Sequence, residues 1–443
     1  APDWLGLRTR SCWEPSSPIR NLGKLMTRLI RVLLLFPIVL VGSDEPSPLA
    51  AAHATVDLPD LRDRVIAIDL HDNDFNRQGC NRIKVHDINS KMSIMSSADV
   101  LLPAHLAATS DLSVIIGTVA GGKRHLFGLT SKARADGDWR SVFMSANIDS
   151  GAPAHITRDD QDMIIPYIQG IGRQSLASMY RGALGSSNWN MGVLPEPERM
   201  IENIHPVAVT DSLDARVVFV AATNGNLYQI DRMSFQLMGE PLAIPVTATD
   251  ISDMRMSTYM TISPDGRYLV INGGQRALLT IIDIQRWVVS TVRVEGLTTT
   301  WGLDFNYQVE GSILAVHGRN RIAVYRFNGT SLPTMLAIAS IPAFNPGAPE
   351  LRGAISAPDL IWSGRGDKLV AFSSALRSLA LFDYLDGSPA RLQASSGLVQ
   401  CAPDTSNPEW IPLPAAMLSS NRAPYVPPPS PTPSDTARPT SSP

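Results

Sequence analysis

The residues best able to do chemistry in this chain are carboxylates gathered in short runs. Asp69, Asp72, Asp74 and Asn76 lie close together, and Asp72-Asn73-Asp74-Phe75-Asn76 offers oxygen ligands at alternate positions. Calcium loops use that spacing because a curled backbone aims every second side chain inward. Further along the pattern breaks: an EF-hand loop needs glycine where Arg77 stands and a bidentate glutamate where Ile83 stands. Asp72, Asp74 and Asn76 are the candidate metal ligands and calcium is the ion they would take. The competing reading is a solvated hairpin tip, and no other cofactor is expected.

A second acidic run, Thr157-Arg158-Asp159-Asp160-Gln161-Asp162, precedes an apolar segment and reads as a solvated turn. His71, His86, His105, His125, His155, His205 and His317 are scattered without metal-ligand or carboxylate-paired spacing. No G-x-S-x-G elbow, Walker sequence or glycine fingerprint is present, which lowers an enzymatic reading without removing it, since a site can be assembled from distant segments. Asn328-Gly329-Thr330 is a glycosylation sequon that also reads as a turn. Once a leader is removed, Cys80 and Cys401 remain, one near each end, and a disulfide between them would close a long loop. Two buried thiols are the alternative.

These residues sit on a repeating frame of a polar turn, an apolar strand, a second turn and another apolar strand. Ser263-Pro264-Asp265-Gly266 leads into Arg267–Asn272, turns at Gly273-Gly274 and returns through Leu278–Asp283. Ser363-Gly364-Arg365-Gly366-Asp367 leads into Lys368–Ser373, and the chain returns through Leu379–Asp383. Asn224-Gly225 joins Arg216–Ala221 to Leu227–Asp231 as a hairpin. The first strands of the units begin near Arg64, Leu112, Asp162, Arg216, Arg267, Ser312 and Asp367, about 45 to 55 residues apart. Four returning strands end in Asp87, Asp231, Asp283 and Asp383, where a carboxylate can accept from the next turn's N–H groups.

That spacing suits an all-β chain folded as a β-propeller of about seven four-stranded blades, with six or eight blades, or two sandwiches, as alternatives. Closure matters because an open stack would leave two apolar sheet faces in water. Residues 144 to 205 are poorly patterned, which leaves the number of blades open. Ser-Pro-Asp-Gly-Arg-Tyr-Leu-Val at 263 to 270 and Trp-Ser-Gly-Arg-Gly-Asp-Lys-Leu-Val-Ala-Phe at 362 to 372 resemble the turn-strand signature of TolB-type and WD-like propeller repeats. The chain departs from the WD pattern in lacking the terminal Trp-Asp and the Gly-His pair. The resemblance implies a fold and names no activity.

The net charge of -3 gives no reason to expect nucleic acid. Met26 opens a basic run followed by apolar Val32–Val41 and an alanine-rich end, the three parts of a secretory signal peptide. The apolar stretch is too short for a lasting membrane span. Leu40-Val41-Gly42-Ser43 resembles a bacterial lipoprotein leader lacking its Cys. The expected divisions are a leader at 1–54, a propeller at 55–422 and a disordered Pro/Ser/Thr-rich tail at 423–443. The expected function is that of an extracytoplasmic, non-enzymatic binding or scaffold module for a protein, glycan or envelope partner. The rival is a lactonase-like propeller hydrolase with a divalent metal in its channel.

Overall fold

Runs such as Val217–Ala222, Tyr268–Asn272 and Ile313–His317 have too few polar side chains to leave a wet face, and in the computed structural model they are strands covered on both sides. The structure describes residues 64–69, 82–87, 93–96, 103–109, 114–119, 126–130, 140–145, 154–169, 173–180, 199–245, 258–274, 276–309, 311–318, 321–341, 360–373, 378–387, 389–400, 417–419 and 426–427. All of them belong to one unit, residues 60–73 with 79–443; residues 1–59 with 74–78 form another unit, which lies outside the described residues.

Among the described residues the strands form seven antiparallel sheets. The first contains β1 (Arg64–Asp69), β2 (Arg82–Asp87) and β3 (Ser93–Ser96). The second contains β4 (Pro103–Ala108), β5 (Val114–Val119), β6 (Leu126–Thr130) and β7 (Arg140–Ser145). The third contains β8 (His155–Ile156), β9 (Asp162–Gln169), β10 (Arg173–Tyr180) and β11 (Arg199–Glu202). In the fourth are β12 (Pro206–Asp211), β13 (Val217–Ala222), β14 (Asn226–Asp231) and β15 (Gln236–Leu237), with β16 (Leu242–Ala243) also paired to β14. The fifth has β17 (Met260–Ile262), β18 (Tyr268–Asn272), β19 (Leu278–Asp283) and β20 (Val288–Arg293). In the sixth lie β21 (Gly302–Asn306), β22 (Ile313–His317), β23 (Arg321–Arg326) and β24 (Thr334–Ser340). The seventh has β25 (Leu360–Trp362), β26 (Lys368–Ser373), β27 (Ser378–Leu385) and β28 (Arg391–Gln400).

The last strand, β29 (Met417–Ser419), returns to the beginning and pairs with β1, so both ends of the strand order share the first sheet. It touches β25 on one side and β4 on the other; β4 meets β8, and β12, β17, β21 and β25 follow in turn. The remaining step, from β8 to β12, is bridged by His155 and Asp211. The innermost strands therefore form a closed ring, and ring closure removes the exposed end faces that an open stack would have.

Side chains alternate across each strand, so neighbouring sheets share cores. Ile313 and Ala315 of β22 pack with Leu360, Trp362, Leu369 and Phe382 of the seventh sheet. Leu314 and Val316, from the same strand, pack with Val270 and Ile281 of the fifth. Likewise Val218 and Val220 face the third sheet, while Phe219 and Ala221 face the fifth. The strands at the outside contrast with these: β20 is almost wholly exposed along its length.

The strand starts that the sequence marks as first are the second strands of their sheets. The innermost β8, β17, β25 and β29 are only two or three residues long, and the outermost β15, β20 and β24 are largely exposed, so these give no long apolar run like those of the middle pair. Residues 144 to 205, poorly patterned by sequence, contain β8, β9, β10 and β11.

One turn recurs between the first and second strands. Ser212, Ser263, Ser363 and Thr157 each donate their N–H to the carbonyl five residues on, at 2.8, 2.8, 2.9 and 3.0 Å. Their hydroxyls accept from the same residue's N–H, at 3.0, 3.0, 3.2 and 3.0 Å. They also donate to Asp214, Asp265, Asp367 and Asp159. The fourth residue of each turn, Ala215, Gly266, Gly366 or Asp160, has positive φ, the region that most side chains avoid. The Ser-Pro-Asp-Gly signature is thus a side-chain-stitched turn.

Candidate functional site

Among the described residues a polar cluster lies on and beside the innermost strands of the third to sixth sheets. Asp211 ends β12 with a fully buried side chain. Its Oδ2 accepts the N–H of Arg158 at 2.7 Å, and its Oδ1 lies 3.0 Å from His155 Nε2 and 3.3 Å from Arg158 Nε. Arg158 also donates through Nε to the Asp211 carbonyl at 3.2 Å and through Nη2 to Thr210 Oγ1 at 3.1 Å. Burial at this depth requires such pairing, because an unmatched carboxylate away from water is costly.

Tyr307 follows β21 and reaches back to the fifth sheet, donating to the Ile262 carbonyl at 2.7 Å, with Thr261 Oγ1 at 3.0 Å. Burial pushes its phenol well above the ordinary tyrosine range; Arg158 nearby draws it down and Asp304 raises it. Asp304 accepts the Trp362 N–H on Oδ2 at 2.9 Å, and the Trp362 indole donates to the Asp304 carbonyl at 3.2 Å. Asn306 donates to the Gly366 carbonyl at 2.8 Å. Each of these polar residues ties one sheet to the next.

A second network lies farther out between the third and fourth sheets. Arg232 Nη1 sits 2.6 Å from Asp159 Oδ2 and 3.3 Å from Asp162 Oδ2. Arg199 donates to the Arg232 carbonyl at 2.8 Å and stacks over Phe235. Asp159 forms the turn that its sequence suggests, but Asp159 and Asp162 are held in part-buried ion pairs instead of being solvated. The strand-ending carboxylates divide: Asp231 accepts the Ser234 N–H at 2.7 Å and Asp283 the Arg286 N–H at 2.9 Å, as a turn cap would. Asp383 instead meets Lys368 directly across the hairpin.

A carboxylate holding an imidazole at hydrogen-bond distance is the geometry that orients a general base. Here both oxygens of that carboxylate also meet Arg158, so the unit acts as a clamp. Among the described residues no three His, Cys, Asp or Glu side chains group to hold a metal. Asp72, Asp74, Asn76, Cys80 and Cys401 lie outside the described residues. So does most of the loop sequence between residues 70 and 81, 131 and 153, and 181 and 198. His317 is buried and stacks on Trp301. Arg158, Asp211 and Tyr307 were not singled out by sequence. A signal was present for Asp211, since it immediately precedes the Ser212-x-Asp214 turn and so ends an innermost strand.

No family model matches the chain and no curated protein does. Solved structures do. A candidate 6-phosphogluconolactonase from Bacteroides uniformis superposes with a TM-score of 0.55 at 11% identity, covering 80% of this chain and 99% of that one. The fold is a β-propeller. A functionally unknown protein from Desulfotomaculum acetoxidans gives 0.53 at 15% identity, over 75% and 95% of the two chains. The periplasmic gluconolactonase PpgL of Pseudomonas aeruginosa gives 0.52 at 10%, over 75% and 94%. At such identities the likeness shows the propeller fold alone. No helix among the described residues is long and apolar enough to cross a membrane.

Proposed function

We propose that the chain is an exported propeller of seven blades, with TolB-type kinship, acting outside the cytoplasm as a non-enzymatic binding or scaffold module for a protein, glycan or envelope partner. The observation that carries this reading is an apolar outer rim. Met233, Leu237 and Met238 of the fourth sheet, Val288 and Val289 of the fifth, and Met335 and Ile338 of the sixth are exposed. The rim is joined across sheets: the Trp287 indole donates to the Glu240 carbonyl, and Gly296 lies against Ile338 and Met335. Exposed apolar groups in succession favour a partner surface over bare solvent.

The innermost carboxylates support the same reading, since Asp211 and Asp304 have bonds that join sheets. The His155–Asp211 pair favours the second reading, a lactonase-like hydrolase with a channel metal. A leader at 1–54, a Cys80–Cys401 disulfide, calcium at Asp72, Asp74 and Asn76, and a tail at 423–443 remain part of the proposal. Pull-down from detergent-solubilised envelope tests it: capture by the wild type, reduced by Val288→Lys with Met335→Lys, supports the module. Lactone turnover that is lost on chelation and restored by one equivalent of a divalent ion would replace it with the hydrolase.

A further inference from the structure

Val426 lies in a stretch where Pro424, Pro427, Pro428 and Pro429 have no N–H, so Tyr425 and Val426 supply the backbone donors from 424 to 429. The Val426 N–H donates to the Leu213 carbonyl at 2.8 Å. Leu213 is the second residue of the stitched turn of the fourth sheet. That turn closes through the Ser212 carbonyl, which accepts from Ala215, and through the Ser212 N–H, which donates to Val217. The Leu213 carbonyl is therefore not needed by its own turn. The Leu213 side chain packs towards Gly266 of the next turn, where an added Cβ would lie 3.0 Å from its Cδ1. Two neighbouring turns thus meet beneath the acceptor.

The topology allows the donor to come from the same chain. Ser419 stands opposite Val65 near the start of β1, and Asp211 stands opposite Val218 near the start of β13. Strands β29 and β12 therefore finish on the same side of the ring, the side of the first-to-second-strand turns. The seven residues from Ser419 to Val426 can span at most about 25 Å when extended.

We infer that the turn face at Leu213 and Gly266 is an acceptor site for an extended, proline-flanked peptide, occupied in cis by the segment around Val426. A proline-rich chain suits such a site because it is already extended and loses little conformational freedom on docking. The inference does not depend on the partner surface proposed above.

Amide exchange on the full chain tests it, since the segment from 424 to 429 has only two exchangeable backbone amides. The Val426 amide should exchange about tenfold or more slowly than the same amide in a free Ala423–Pro431 peptide. In Val426→Pro the donor is gone, and the variant should keep the wild-type unfolding midpoint. A labelled Ala423–Pro431 peptide should then bind Val426→Pro and be excluded from the wild type, whose tethered segment competes at high effective concentration. Exchange at the free-peptide rate, or equal peptide behaviour toward the two proteins, overturns the site. Protection that rises with protein concentration overturns the cis assignment in favour of a second copy's tail.

Discussion

Between the third and fourth sheets the innermost strands are joined by charge: Asp211 is met by Arg158 and His155. Between the sixth and seventh they are joined by Trp362, which is fully buried, packs edge-on to Tyr384 and bonds twice to Asp304. The position in the ring is similar and the chemistry differs. A volume-filling junction weakens in proportion to what is removed, because the lost contacts and the cavity set the cost. A buried ionic junction fails when one partner is removed, because the other is left as an unmatched charge.

Single truncations at the two junctions should have the largest effects. Asp211→Ala should lower unfolding free energy in urea by about 3–5 kcal/mol through the stranded guanidinium of Arg158. Trp362→Ala should cost a similar ~3–5 kcal/mol through its cavity. Near-isosteric changes separate the mechanisms. Asp211→Asn keeps the volume yet should still lose about 1.5–3 kcal/mol of charge-assisted bonding, whereas Trp362→Phe should recover much of the Trp362→Ala loss. Equal recovery at both sites would erase the distinction.

A smaller effect is expected at Gly329, which has φ of 92° and whose added Cβ would come within 2.3 Å of the Tyr268 ring. Gly329→Ala should cost about 1–3 kcal/mol by the same urea measurement, since the ring must move.

The pH dependence is next in size. Tyr307 has a folded-state pKa raised above the ordinary 10.0, so its contribution is complete below that pH and is lost as pH rises through the folded value. Melting temperature should be level up to about pH 10 and decline above it, with a shallower decline in Tyr307→Phe. Asp231, lowered from 3.8 mainly by the Ser234 N–H, acts in the opposite direction. Its contribution is present above that pH and lost as pH falls; because it is only half-buried, Asp231→Ala should shift acid stability least of all.

The sequence revealed second and third strands such as β13, β18, β19 and β22 because they are buried on both faces and hence apolar almost throughout. Val270 and Leu269 serve different cores from adjacent positions. It also revealed the Ser-Pro-Asp-Gly turn, whose residue types follow from the bonds they make. Four innermost strands are hidden by their shortness: β8 has only two residues and β17, β25 and β29 only three, and pairing partners cannot be read from segments that short. Asp211 and Arg158 were missed for a related reason. They are separated by 53 residues and become neighbours only when the third and fourth sheets pack side by side, whereas Asp72-Asn73-Asp74 stands out by local spacing alone.

The buried Asp211 carboxylate on the innermost strand of the fourth sheet holds that sheet to the third. A double-mutant cycle of Arg158→Met and Asp211→Leu, read by urea unfolding, tests it most directly. Each single change should cost about 3–5 kcal/mol, and the pair together should cost clearly less than the two added, the remainder coming from the Arg158 N–H that loses its acceptor. Single changes that each fall within about 0.5 kcal/mol of wild type and simply add would contradict the clamp.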